Sequence, residues 1–288
     1  MLHFSVSVLK NSQPVEYVLF VTRARHASVL SFFWLLLYAA GCQVAPETNA
    51  LPHDKTLVRD QLVIKSDFTL PQKHRLLDEL TLRRSDISDR LNLPISDEPI
   101  NIYLFQDELP FREFMNTDFP DFKNRRALFV KDDTNLKVIA HWGPRVGEDL
   151  RHEVTHGYLH SVVPNLPLWL DEGIAEYFET SRGKRGLNYP HVYLLSKTFR
   201  QGKWEPDLEQ LERSNRPAEF SQIQYAESWL WIHFLIESDP STRKILQDHL
   251  ARLRMTGQAP DMSIVLQDAD PEISKRLLQH LKEMAESL

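Results

Sequence analysis

The sequence predicts an α+β protein, with a mixed β-sheet in the N-terminal half and helices throughout the C-terminal half. Two observations predict this class. Between residues 61 and 142, short β-branched and aromatic runs are separated by helical patterns and turn residues. From residue 146 onward, apolar residues recur at helical spacing in successive segments. The composition is that of an ordinary globular protein, because 42% of the 288 residues are hydrophobic and 26% are charged.

The N-terminal half combines the predicted strands with two predicted helices. Leucine and isoleucine near helical spacing favour a long helix between the first two strands. The run Asp-Asp-Thr-Asn at 132–135 separates two apolar runs and predicts a hairpin. The predicted elements in chain order are strand 61–68, helix 71–91, strand 99–105, helix 111–115, strand 126–130 and strand 136–142.

The C-terminal half is predicted to be all-helical. Pro164 ends the first helical pattern, because proline cannot continue a helix. The globular part, 61–288, therefore divides into an α/β half over 61–145 and a helical half over 146–288. The predicted helices are 146–163, 168–181, 190–200, 207–212, 222–237, 241–255 and 271–286.

Residues 152–156 read His-Glu-Val-Thr-His. Histidines four positions apart lie on one face of a helix, so His152 and His156 can bind one ion. Glu153 lies about 100° around the helix, beside the ion, where it can accept a proton from water and later donate it to a leaving amine. The five-residue motif alone is a weak signal, and an exposed helix with a His/Glu stripe is the alternative.

A second run, Trp169–Tyr177, reads Trp-Leu-Asp-Glu-Gly-Ile-Ala-Glu-Tyr. A short proline-rich turn separates it from the first helix, so the two helices should pack antiparallel and return Glu172 towards both histidines. Glu176 lies on the same face as Glu172 and is expected to orient a ligand imidazole. The predicted ligands of one Zn²⁺ ion are therefore His152, His156 and Glu172, with one position open to water.

Together the two runs resemble the motifs of the gluzincin zinc metallopeptidases. The likeness is to the aminopeptidase-like and peptidase MA-like branches, whose second motif reads Trp-Leu-(Asn/Asp)-Glu-Gly-aliphatic-Ala-Glu. It covers about residues 60–240 and is most specific over 150–179. The resemblance implies a gluzincin-like fold, the same three zinc ligands, and Glu153 as general acid/base. The chain departs from typical aminopeptidases in having only 15 residues between His156 and Glu172.

The resemblance implies further roles. A tyrosine downstream of the third ligand assists the oxyanion in gluzincins, and Tyr225 looks like this residue; a tyrosine packed at the start of a helix is the alternative. In the same enzymes the strand before the metal helix is a sheet edge that pairs with extended substrate. Ala140, His141 and Trp142 are therefore expected to bind substrate. For His141 a buried position in the sheet is the alternative.

Two neighbouring side chains are expected to have structural roles. His160 continues the histidine stripe but lies about 12 Å along the helix axis from His152, too far to share one ion with it. It is therefore expected to be a polar residue at the helix end. Arg151 is expected to form ion pairs with nearby carboxylates such as Glu148 and Asp149, although a substrate carboxylate is an alternative partner.

The N-terminus resembles a bacterial export signal with a lipobox. An apolar run over 29–40 follows a basic region and is too short to span a bilayer as a mature helix. It ends at Cys42, the single cysteine of the chain, which is expected to be lipidated. Residues 1–41 would then be the signal peptide and 42–60 a flexible tether, with Val21 as an alternative start. A plain signal peptide or an uncleaved anchor remains an alternative.

The sequence thus predicts a lipoprotein of the bacterial cell envelope that hydrolyses peptide bonds in a peptide or protein substrate. A net charge of −6 gives no indication of nucleic-acid binding. The absence of a Gly-Ala-Met-Glu-Asn motif weakens the exopeptidase interpretation. Two alternatives stay open: a catalytically silent, zinc-stabilised envelope scaffold or binding protein, and another metal-assisted amide hydrolase acting on cell-envelope peptides.

Overall fold

A computed structural model describes residues 50–287 and confirms the α+β class. Strands lie in the N-terminal half, and the chain from Val146 onward is helical apart from connecting loops. The predicted signal peptide over 1–41 and the lipidation at Cys42 lie outside the described residues. Within residues 50–287, no helix combines the length and apolar character needed to cross a membrane.

Five strands of the described chain form one mixed sheet in the order β1-β2-β3-β5-β4, with β2, β3 and β5 parallel and each edge strand antiparallel to its neighbour. The strands β4 and β5 form the predicted hairpin, in which Asp132 pairs with Asn135. The strand bounds are β1 Lys55–Arg59, β2 Leu62–Ser66, β3 Ile100–Phe105, β4 Ala127–Asp132 and β5 Asn135–His141.

The sheet corrects two sequence predictions. Residues 55–59 fall in the predicted tether, but they form β1 and pair antiparallel with β2, so the tether prediction is wrong there. Thr56 and Val58 suit a strand, and Asp60 adopts the positive φ that its tight turn requires. The predicted edge position of β5 is also wrong, because β5 lies between β3 and β4. Its buried run Val138–Ala140 is typical of a central strand.

The described residues form two compact units. One comprises 50–86 and 96–158, and the other comprises 87–95 and 159–287. The division after residue 158 lies further along the chain than the predicted boundary at 145/146, so most of the predicted metal helix belongs to the sheet-containing unit. The helices are α1 Arg75–Leu91, α2 Glu108–Asp118, α3 Val146–His160, α4 Leu168–Glu179, α5 Tyr189–Arg200, α6 Leu208–Arg213, α7 Gln222–Glu237, α8 Pro240–Thr256, α9 Met262–Ala269 and α10 Ile273–Glu286, with short 3₁₀ turns at Pro120–Phe122 and Pro217–Glu219.

Helix α7 is the central helix of the second unit. Every residue from Tyr225 to Ile236 is buried, as expected for a helix whose sequence is mainly apolar. A capping box of Ser221 and Gln224 begins it. Helix α4 approaches α7 closely at Gly173, where an added Cβ atom would lie 2.5 Å from the backbone oxygen of Ser228. The glycine of the second motif therefore permits this helix contact.

We expect Gly173→Ala to lower the free energy of unfolding by about 1–3 kcal/mol, because the methyl group would overlap the α7 backbone. The matched control is Gly147→Ala in α3, where an added Cβ meets only ordinary contacts, 3.4 Å from Arg151 and 3.7 Å from Leu76. The control should leave stability unchanged or raise it by up to about 1 kcal/mol. Denaturant titration measures both, and an equal effect of the two changes would contradict the packing argument.

Two imidazoles form a close pair in the second unit, buried His233 and half-buried His280, with Nδ1 of the first 2.9 Å from Nε2 of the second. Burial, followed by the effect of His280, lowers the pKa of His233 from 6.5 to about 3. Burial likewise lowers the pKa of His249 from 6.5 to about 4. The folded protein therefore holds these rings neutral at pH values where the unfolded chain protonates them.

Acid should consequently destabilise the fold before most carboxylates titrate. A histidine whose pKa is lowered by folding reduces the free energy of unfolding as the pH falls below 6.5, because the unfolded chain binds the proton more tightly. For His233 this reduction grows until about pH 3. At pH 5 it lowers the free energy of unfolding by about 2 kcal/mol. We expect His233→Gln to flatten the pH dependence of unfolding between pH 7 and 5 relative to wild type. Identical slopes for the variant and the wild type in urea titrations would disprove this assignment.

Candidate metal centre

The two histidines of the first motif lie together on α3. Their Nε2 atoms are 3.2 Å apart and their rings meet edge to face. A tetrahedral zinc ion bound at 2.0–2.1 Å by two imidazoles would separate the nitrogens by roughly 3.3 Å. His156 is buried, and His152 is half-buried. The spacing of this pair therefore fits two ligands of one ion.

The orientation of α3 on the sheet is determined by close packing and ion pairs within the first unit. The ring of His156 stacks on Phe129 of β4, with centroids 5.7 Å apart. An added Cβ at Gly157 would lie 2.9 Å from Ile100 of β3, so the helix approaches the sheet closely there. At the start of α3, Arg126 donates to Asp149 at 2.6 and 2.9 Å. These contacts limit the positions available to the ligand-bearing turn.

Helix α4 carries four acidic side chains, and the first three along the chain have different surroundings. Glu172 is buried. Glu176 accepts a hydrogen bond from Nε2 of His191 at 2.8 Å and a longer one from Asn188 at 3.5 Å. Asp171 lies 2.9 Å from Nε2 of His160. Since each residue turns about 100° around the helix, neighbouring carboxylates point to different partners.

Three groups of described side chains are close enough to hold a metal ion. Within each group, one nitrogen or oxygen ligand atom from every member lies within 4.8 Å of the others. One group contains the three predicted zinc ligands. The groups are His152, His156 and Glu172; His156, His160 and Asp171; and His152, Glu176 and Glu179. Two imidazoles and one carboxylate make up the donor set of several catalytic zinc sites.

The other residues predicted for catalysis lie in separate elements. Glu153 is half-buried on α3. Tyr225 lies in the first turn of α7, where it is buried and its ring meets Phe220 edge to face with centroids 4.9 Å apart. This contact agrees with the alternative of a tyrosine packed at a helix start, and the predicted role of Tyr225 with an oxyanion stays a prediction.

The three residues predicted to bind substrate are packed at the end of β5. Ala140 is fully buried and pairs with Ala127 of β4 and Leu104 of β3. His141 packs on Phe111 at 5.1 Å, and Trp142 meets Phe68 and His74 edge to face. Because β3 and β4 pair with both sides of β5 at Ala140, the main-chain substrate pairing expected there loses its basis. The pairing with β4 ends at Ala140, so the substrate-binding roles of His141 and Trp142 stay predictions. Among the described strands, β4 is the edge strand next to β5.

Several contacts at the site were not predicted from the sequence. His160 is the last residue of α3. Its ring also makes a hydrogen bond with Asp171 and belongs to the second ligand group. Arg151 lies 3.5 Å from Glu79. The carboxylates expected to pair with Arg151, Glu148 and Asp149, form ion pairs with Arg126. The partner of Glu176 is His191, which lies 15 positions along the chain. The sequence signal that could have indicated this contact is the position of His191 among the apolar residues of a predicted helix.

Compared by sequence with known proteins, the chain matches no protein-family model and no curated protein. The interpretation of the centre therefore depends on its residues and their geometry.

The three ligand groups differ in the carboxylate that each one requires. We expect Glu172→Gln to lower zinc affinity at least tenfold, because a neutral amide is a much weaker zinc ligand than a carboxylate. The matched change in the adjacent residue, Asp171→Asn, should leave zinc content near one ion per chain. Metal analysis after dialysis against buffered zinc measures both variants. Loss of zinc from Asp171→Asn alone would instead assign the ion to His156, His160 and Asp171.

Proposed function

We propose that this protein is a zinc metallopeptidase that hydrolyses peptide bonds. The observation that carries the proposal is the group of His152, His156 and Glu172, whose ligand atoms lie within 4.8 Å of one another. The 3.2 Å separation of the two imidazole nitrogens supports binding to a single ion. The likeness of both motifs to those of gluzincins supports the same ligand assignment.

Of the three ligand groups, this one is the best supported for a catalytic zinc ion. It contains two imidazoles and one carboxylate, and a tetrahedral zinc ion with these three ligands has a fourth position open to water. The second group has the same donor types, but its carboxylate, Asp171, already lies 2.9 Å from Nε2 of His160. The group of His152, Glu176 and Glu179 contains two carboxylates, and Glu176 already accepts a hydrogen bond from His191. When bound, zinc supplies a Lewis acid that polarises a carbonyl oxygen and acidifies water.

In this proposal Glu153 is the general acid/base. It follows the first ligand directly, so its side chain projects beside the pair of imidazoles rather than along it. Its carboxylate accepts a proton from the attacking water and donates a proton to the departing amine, which allows the C–N bond to break without releasing an amide anion. Tyr225 is proposed to donate a hydrogen bond to the developing oxyanion.

The structure offers an edge for substrate at β4 in place of the predicted edge at β5. The outer side of β4 pairs with no other described strand, and Phe129 of this strand packs against the ring of His156. An extended peptide can add to such an edge through main-chain hydrogen bonds. We therefore assign the substrate strand to β4, beside the helix that carries the histidines.

The cellular setting is part of the same proposal. A basic and apolar leader that ends at Cys42 supports export and lipid attachment at the bacterial cell envelope. The substrate would then be a peptide or protein of that compartment. A silent zinc-stabilised scaffold uses the same ligands and differs in having no need for Glu153. An amide hydrolase acting on cell-envelope peptides also uses the same ligands and differs in its substrate.

We expect Glu153→Gln to retain zinc and lose about 10²–10⁴-fold in kcat/KM, because the amide can neither accept nor donate the required proton. The control is Glu113→Gln, an equal change of charge at an exposed position of α2, which should keep full activity. Zinc content and cleavage of a mixed peptide library, followed by mass spectrometry, give the two readouts.

Two outcomes would reject the peptidase proposal. Zinc-loaded wild-type protein that cleaves no peptide of the library would favour the scaffold. Zinc-loaded Glu153→Gln protein that cleaves as fast as wild type would remove the proposed acid/base. Cleavage restricted to library members that contain D-amino acids or isopeptide bonds would assign the enzyme to cell-envelope peptides.

A further inference from the structure

A second feature of the chain is a basic segment that the proposed zinc chemistry does not use. Residues 180–204 contain six lysines and arginines and no aspartate or glutamate, although the whole chain has a net charge of −6. The segment comprises the loop after α4, helix α5 and the turn that follows it. Such a local excess of one charge in an acidic protein gives this surface its own electrostatic potential.

Helix α5 presents this charge on one face together with tyrosines. At 100° per residue, Tyr189, Tyr193, Lys197 and Arg200 lie within an arc of about 80°. The opposite face is formed by the buried residues His191, Val192 and Leu195, and the helix packs on α7 and α10. The outward face of α5, defined by Tyr189, Tyr193, Lys197 and Arg200, is therefore exposed while the helix itself is anchored.

Both tyrosines of this face are exposed to solvent. Tyr193 is 63% exposed and Tyr189 is 45% exposed. Each carries a lysine ammonium over its ring, Lys197 at 5.7 Å and Lys184 at 5.6 Å from the ring centroids. Large aromatic rings in contact with water are a feature of binding surfaces, since their burial is favourable once a partner is present.

The charges of this face are not compensated by carboxylates. Among the described residues, none of the ion pairs includes Lys184, Lys197, Arg200 or Lys203. In contrast, Arg185 in the same segment pairs with buried Glu237 and has a structural role. Four cations and two exposed tyrosine rings thus remain available on and next to one helix.

We propose that the outward face of α5 binds the surface of an anionic phospholipid bilayer. Lysine and arginine attract negatively charged headgroups, and tyrosine rings sit favourably at the boundary between headgroups and acyl chains. A flat bilayer surface matches a row of residues on one exposed helix, which can lie parallel to it. The proposal uses none of the predicted zinc ligands and holds whether or not the chain is a peptidase.

Two other anionic partners fit the charge less well. A nucleic acid would need contacts spread over several turns of its backbone, and the overall charge of −6 opposes its approach. An acidic protein segment would gain ion pairs but would need a groove to cover the two rings, and the solvent face of a single helix is convex. A bilayer interface satisfies the charges and the rings at the same time.

Flotation of the full-length protein with phosphatidylcholine vesicles, with and without phosphatidylglycerol, tests the proposal. We expect Lys197→Gln/Arg200→Gln to weaken binding to the anionic vesicles on the order of 30-fold. The control is Arg252→Gln/Arg254→Gln, an equal loss of charge at exposed positions of α8, which should bind within about twofold of wild type.

Tyr193→Ser should also weaken binding to the anionic vesicles, and added salt should release the bound protein. All variants share residues 1–49, so differences between them report on the helical surface.

Equal weakening by the α5 and α8 changes would show a response to total charge and would overturn the proposal. It would also be overturned if neither the α5 double change nor Tyr193→Ser altered binding to anionic vesicles. Retention on immobilised heparin that depends on Lys197 and Arg200, without any such dependence on vesicles, would assign the face to a soluble polyanion. Circular dichroism of each variant separates these outcomes from loss of the fold.

Discussion

Two imidazole nitrogens that lie 3.2 Å apart are the feature on which the interpretation of this protein depends. A shared cation offers both nitrogens a favourable partner and fits their spacing. The packing of Phe129 against one ring and the close approach of Gly157 to β3 limit how far the pair can separate.

In the second motif, acidic side chains within fewer than two helical turns have different partners. Asp171 and Glu176 each have a histidine partner, whereas Glu172 belongs to the group with both motif histidines. The intervening glycine, Gly173, is required for packing on α7 rather than for chemistry. A run of residues that reads as one motif therefore combines one proposed ligand, two hydrogen-bonded carboxylates and one packing position.

The fold class and most helices were predictable because their signals are local. Helix α7 begins and ends where its apolar run predicts, and the hairpin of β4 and β5 follows from four turn residues. The order of strands was not predictable, since it depends on pairing between β3 and β5, which lie far apart in sequence. The prediction that β5 is an edge came from a family resemblance, and the buried run Val138–Ala140 already argued against it.

Partners distant in sequence limited the prediction of the site in the same way. The spacing of His152 and His156 is a property of one helix, so periodicity alone could place them together. The contacts of Glu176 with His191 and of Arg151 with Glu79 depend on packing between elements, which periodicity does not encode. The outward face of α5 was partly predictable from the sequence. Its stripe of tyrosine and basic residues is periodic, but only the burial of the opposite face shows that the stripe points to solvent.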